Sequence, residues 1–146
     1  MTVQPLSFLI VEDEAVLAMD LAMMIEDCGH QVGGEAASVA QVEDLSPDLP
    51  IDIAFVDVQL LGGSSGVDAA RWLRGGWPDI AIIFVTANPR KLPDDLAGAI
   101  GYISKPFTRA GMMQAIDYLS ATVRGRLTAV QPPSCFVPSP ALPVQA

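Results

Sequence analysis

Basic side chains are scarce in this chain: eight Lys and Arg stand against 17 Asp and Glu, a formal net charge of −9. Lys91 and Lys105 are the only lysines. That balance argues against a nucleic-acid partner, because phosphate backbones are gripped by clustered positive charge. Long hydrophobic runs are missing too. No apolar stretch approaches the roughly 18 residues that cross a bilayer, so no membrane partner is expected. The opening Met1-Thr2-Val3-Gln4-Pro5 lacks the basic start of a secretory signal, and the expected location is cytoplasmic. Cysteine occurs twice, at Cys28 in a predicted helix and Cys135 in a C-terminal tail. One inert thiol and one loose thiol are expected there, not a disulfide. The single histidine, His30, follows Gly29 at a helix-to-strand turn and reads as structural.

What is present is a globular composition, with 51% hydrophobic and 17% charged residues over 146 positions. That length fits one domain with a proper core. Ser7 to Val11 is a short apolar run, the mark of a strand buried on both faces. Leu17, Leu21, Met24, Ile25 and Cys28 then fall on one helical face, stopped by Gly29. Gln31 to Glu35 suits an edge-like strand. Ser38 with Gln41 reads as a capping box opening a helix through Leu45. Ile51 to Val56 is a third strand running into Asp57, followed by a Gly- and Ser-rich loop and a helix from about Gly66 to Arg74. Ile80 to Val85 is the fourth strand and Gly101 to Ser104 the fifth. Thr108 caps a last helix with Met112, Ile116, Leu119 and Val123 facing inward. Five strands alternating with helices predict a single α/β domain, a doubly wound parallel sheet covered on both faces.

Two stretches resist this pattern. Pro89, Pro93 and Gly98 crowd the region after the fourth strand, so a fourth helix there is expected to be short or irregular. From Arg124 onward five of 23 residues are Pro. The expected division is a body over 1–123 and a Pro-rich tail over 124–146, with Phe136 and Val137 as candidate docking residues. Arg71, Arg74, Arg124 and Arg126 read as solvated charges.

In an open parallel sheet, ligands bind beyond the carboxyl ends of the strands. Waiting on that rim are Glu12-Asp13-Glu14, Asp57, Thr86 and Lys105-Pro106. Clustered carboxylates repel one another, and a hard cation relieves the repulsion. Asp13 and Asp57, with a backbone carbonyl near Gln59, offer oxygen ligands to Mg²⁺. Asp57 can then take a phosphoryl group as an acyl phosphate. Lys105 supplies a point charge to the transferred oxygens and Thr86 a hydrogen-bond donor. Each residue alone has an ordinary reading as a helix-start acid, a strand end or a surface lysine. Together, in this order, they point to chemistry.

The ordered motifs Val11-Glu12-Asp13-Glu14, Val56-Asp57-Val58-Gln59-Leu60, Val85-Thr86-Ala87 and Tyr102-Ile103-Ser104-Lys105-Pro106-Phe107 resemble those of a bacterial response regulator receiver domain, over about residues 5–123. The resemblance implies a flavodoxin-like fold with strand order 2-1-3-4-5. It implies Asp57 as phosphoacceptor, Asp13 as a direct metal ligand and Glu12 as a ligand through water. It places Thr86 and Lys105 on the phosphoryl group, makes Thr86 and Tyr102 the switch pair, and makes Lys105-Pro106 a cis peptide. The implied phosphate source is a histidine kinase or phosphotransfer protein. Transfer and slow hydrolysis would be self-catalysed, with no enzymatic turnover of other substrates. The loop after Asp57 departs from the family pattern: it reads Gln-Leu-Leu-Gly-Gly-Ser-Ser-Gly and is longer in small residues. Gln59 and Asn88 stand where receivers vary.

No helix-turn-helix pattern follows Val123, so the expected protein is a stand-alone phosphorylation switch whose output is contact with a protein target or a second copy. The rival is a receiver-like scaffold that binds partners without phosphorylation. A flavodoxin-like cofactor binder is disfavoured, because Glu12-Asp13-Glu14 would repel a phosphate at the first loop.

Overall fold

The computed structural model describes residues 5–125 and 132–139. Arg126 and most of the Pro-rich tail lie outside the described residues.

The chain runs β1 (Ser7–Val11), α1 (Ala15–Asp27), β2 (Gln31–Ala36), α2 (Val39–Glu43), β3 (Ile53–Val56), α3 (Gly66–Gly76), β4 (Ala81–Thr86), β5 (Gly101–Ser104), α4 (Arg109–Val123) and β6 (Phe136–Pro138). The sheet order is β2-β1-β3-β4-β5-β6. The first five strands are parallel in the expected order. Parallel neighbours need crossovers, which the helices supply.

Period-two alternation sorts each central strand onto two cores. Leu9, Val11, Ala54, Val56, Ile82 and Phe84 face α2 and α3, where they meet Val42, Ala69, Ala70 and Leu73. Phe8, Ile10, Phe55, Ile83, Val85 and Ile103 face α1 and α4 and meet Leu21, Ile25, Met112, Ile116 and Leu119. Burial on both faces is why these strands read as unbroken apolar runs. At α2, Ser38 Oγ accepts from the Gln41 backbone N–H, and Gln41 Oε1 accepts from Ala37 N–H. Two otherwise unpaired donors are thereby satisfied.

Three features differ from the sequence reading or sharpen it. The glycines 75 and 76 stay inside α3, which ends at Trp77; the Trp77 indole N–H donates to Leu49 O at 2.7 Å and fixes that end. Between β4 and β5 the backbone makes two 3-10 turns, Pro89–Lys91 and Leu96–Gly98, in place of a helix. Leu96 and Ala97 have φ of 51° and 50°, and Gly98 follows at 83°. Left-handed backbone at two side-chain-bearing residues cannot extend into an α-helix. Asp95 Oδ1 accepts from Ala97 N–H, and Arg74 donates to Gly98 O. Arg74 therefore holds a loop and is not simply a solvated charge.

The third difference is a sixth strand. Phe136–Pro138 pairs antiparallel with β5, matching Gly101 to Pro138, Tyr102 to Val137 and Ile103 to Phe136. Phe136 is buried, with its ring 5.7 Å from that of Tyr118. A sheet edge exposes unpaired N–H and C=O groups, and β6 covers those of β5.

Candidate functional site

The register of the central strands builds the rim. Val11 and Val56, the last residues of β1 and β3, are paired, and Asp57 N–H donates to Val11 O at 2.9 Å. Glu12 and Asp57 therefore leave adjacent strands side by side. Both are buried, whereas Asp13 is exposed. Carboxylate oxygens of Glu12, Asp13 and Asp57 lie within 4.8 Å of one another.

Lys105, after β5, reaches across to this group. Its Nζ donates to Glu12 Oε1 at 2.8 Å and to Asp57 Oδ2 at 3.0 Å. The Lys105–Pro106 peptide is cis. Burial pulls the Lys105 ammonium down, but its hydrogen bonds and charge contacts with Glu12 and Asp57 outweigh that and hold it above its ordinary value. Glu12 is pushed up to about 7 by burial, with the Asp57 charge adding to the rise, against hydrogen bonds from Lys105 and the Glu14 backbone.

Small groups fit the rest of the site. Gln59 N–H donates to Asp57 Oδ1 at 3.2 Å. A Cβ on Gly66 would stand 1.8 Å from Asp57 O, so the start of α3 approaches the end of β3 closely enough to require glycine. Thr86 ends β4, the neighbour of β3, is buried, and its Oγ1 accepts from Asn88 N–H at 3.0 Å. Tyr102 lies half-buried in β5 against the α3-side core, opposite Val137 of β6.

The structure brings Glu12, Asp13, Asp57, Gln59 and Lys105 together and sets Thr86 on the next strand. The sequence reading missed two features. The Asn88 amide donates to Gln59 Oε1 at 3.5 Å, linking the loops after β3 and β4. Lys91 lines a cavity beside Gln59. Equal offsets from Asp57 and Thr86 were the only signal for the first; nothing local signals the second.

A family profile described as the response regulator receiver domain matches residues 8–117. The chain belongs to that family. This receiver is similar to the Phyllosphere-induced regulator PhyR of Methylorubrum extorquens, at 36% identity over 111 residues, covering 75% of this chain and 41% of that protein. It is also similar to the transcriptional regulatory protein PdtaR of Mycobacterium tuberculosis, at 30% identity, covering 87% of this chain and 62% of that one. Among solved structures, the receiver domain of Erythrobacter litoralis PhyR matches with a TM-score of 0.70 at 26% identity, over 87% of this chain and 95% of that one. PhyR from Brucella abortus matches at 0.65 and 31%, over 84% of this chain and 52% of that one. The receiver thus spans about two fifths to three fifths of the curated relatives' length. Among the described residues no helix is long and apolar enough to cross a membrane.

Proposed function

We propose that this receiver takes a phosphoryl group on Asp57 from a histidine kinase or phosphotransfer protein and signals through a protein contact that depends on that modification. The observation that carries this reading is the Lys105 ammonium, bonded to the Asp57 and Glu12 carboxylates beside Asp13. Asp57 Oδ2 is the attacking oxygen in this reading. It attacks phosphorus, the donor's bond to phosphorus breaks, and the leaving group departs with the electron pair. Lys105 then meets the transferred oxygens with a fixed positive charge, and Thr86 offers its hydroxyl proton to one of them.

The donor set fits a hard divalent cation: three carboxylates, all oxygen, with the buried pair countered by a single ammonium. Asp13, Asp57 and the backbone at Gln59 would hold Mg²⁺ directly and Glu12 through water. When bound, it supplies charge neutralisation at the transferred group.

Tyr102 is the switch partner of Thr86 in this reading, since its strand neighbours β4 and it is only half-buried. The body over 1–123 carries the switch and the stretch 124–146 is its appendage. The receiver performs its own transfer and slow hydrolysis and works in the cytoplasm; its outputs are protein targets or a second copy.

The test is phosphorylation by acetyl phosphate or a kinase with Mg²⁺, read by intact mass. One phosphoryl group is expected on the native chain and none on Asp57→Asn. A native chain that takes no phosphate from any donor favours the constitutive scaffold.

A further inference from the structure

Against the loop that follows Asp57 lies a cavity of about 490 Å³ lined by Val58, Gln59, Leu60, Ser64, Lys91 and their neighbours. It adjoins the phosphoacceptor through Gln59, whose backbone N–H bonds Asp57 Oδ1. The longer Gly- and Ser-rich loop after β3 forms one wall, and the 3-10 turn that replaces a helix after β4 supplies Lys91. Both walls come from segments where this chain departs from the usual pattern.

Several basic side chains of the described residues are already engaged, on this rim or elsewhere. Lys105 is bonded to two carboxylates, Arg109 pairs with Asp27, Arg71 lies against Asp68, and Arg74 holds Gly98 O. Lys91 makes no ion pair among the described residues and faces the cavity. An uncommitted ammonium in a chain of net charge −9 is a place for an anion.

We propose that this cavity is a subsite for the leaving group of small acyl phosphates, with Lys91 as the residue that selects them. This rests on the reading of Asp57 as phosphoacceptor. In the reaction, an Asp57 carboxylate oxygen forms a bond to phosphorus as the bond from phosphorus to the acyl oxygen breaks. The acyl group leaves as a carboxylate carrying the electron pair, and no proton is moved. Negative charge develops on that carboxylate only as the bond breaks, so a nearby ammonium acts on the transition state. Val58 and Leu60 offer apolar surface to the acyl chain, and the Ser64 hydroxyl offers a further donor. A nitrogen-linked donor such as phosphoramidate expels a neutral amine, which gains nothing from Lys91. The residue therefore sets a preference between donor classes.

The experiment compares phosphorylation rates of the full chain with acetyl phosphate and with phosphoramidate, at saturating Mg²⁺ and fixed ionic strength. Lys91→Ala is expected to lower the acetyl phosphate to phosphoramidate rate ratio about tenfold. Lys91→Arg should restore most of it. Arg90→Ala, next to it but outside the cavity lining, should leave the ratio where it is. A ratio unchanged in Lys91→Ala overturns the proposal while the phosphoacceptor reading stands. An equal shift in Arg90→Ala also overturns it, because the effect is then general surface charge. A native chain modified by neither donor nor a kinase overturns both.

Discussion

The ring of Phe136 fills the space where a side chain on Gly101 would begin: a Cβ there would lie 2.5 Å from two of its ring carbons. Two residues 35 positions apart thereby bind the C-terminal strand to the sheet edge next to Tyr102. Gly101→Ala is expected to expel β6. Amide hydrogen exchange should accelerate at Tyr102, which faces the edge that β6 covers, and much less at Ile103, whose N–H points toward β4. Phe136→Ala should lower stability by about 3 kcal/mol, the range for deleting a buried aromatic, as read by urea unfolding.

Lys105 presses one positive charge onto two carboxylates, so removing it has two opposite effects. Lys105→Met should slow phosphorylation of Asp57 about a hundredfold, through loss of the charge that meets the transferred oxygens. The same variant should bind Mg²⁺ several-fold more tightly, since the acidic group loses its internal counter-charge. Titration calorimetry and intact mass measure the two separately. A fall in both would place Lys105 in the scaffold of the site instead.

Alanine usually outranks glycine within a helix by about 1 kcal/mol, yet at position 66 the order should reverse. A methyl there would strike Asp57 O, a backbone atom that cannot step aside. Gly66→Ala is expected to cost about 3 kcal/mol of stability. It should also slow phosphorylation, because α3 can move only by displacing the end of β3. Thermal unfolding and phosphorylation rates check both.

The half-buried imidazole of His30 gives a pH test. Its Nδ1 accepts from Leu6 N–H, while Nε2 lies 2.9 Å from Ser120 Oγ, which itself donates to Ile116 O. That chain of bonds needs neutral imidazole with its proton on Nε2. Burial lowers the His30 pKa below its ordinary 6.5, with the Arg124 charge adding to the effect. The unfolded chain therefore binds the proton first, and this stabilisation, complete above 6.5, fades as pH falls below it. Glu12, pushed up to about 7, pulls the opposite way, so the difference between native and His30→Asn chains is the quantity to follow. Asn keeps an acceptor for Leu6 N–H without titrating. The native advantage in urea should shrink between pH 7 and 5.5.

The parallel sheet was legible because its strands are buried on both faces and its helices carry apolar stripes at helical spacing. Leu21, Met24 and Ile25 of α1 are indeed buried. The rim residues were legible because strand ends are points on the chain: Glu12 follows Val11 and Asp57 follows Val56 wherever the sheet forms. Strand β6 was not, since Cys135-Phe136-Val137-Pro138 is too short to show a period and its worth lies in the packing of Phe136 against Tyr118 and Gly101. The turns at Leu96 and Ala97 were legible only as a failure to form helix, because their left-handed backbone is held by Asp95 and Arg74.

By itself, then, the order of residues determined the α/β class, the five parallel strands and which side chains gather at their carboxyl ends, because these follow from local periodicity and from strand termini. Only the tertiary structure decided that Lys105 bridges Glu12 and Asp57, that the tail returns as a sixth strand, and that Lys91 faces a cavity against the loop that follows Asp57. Those are contacts between residues dozens of positions apart, and distance along a chain carries no record of distance in space until packing sets it.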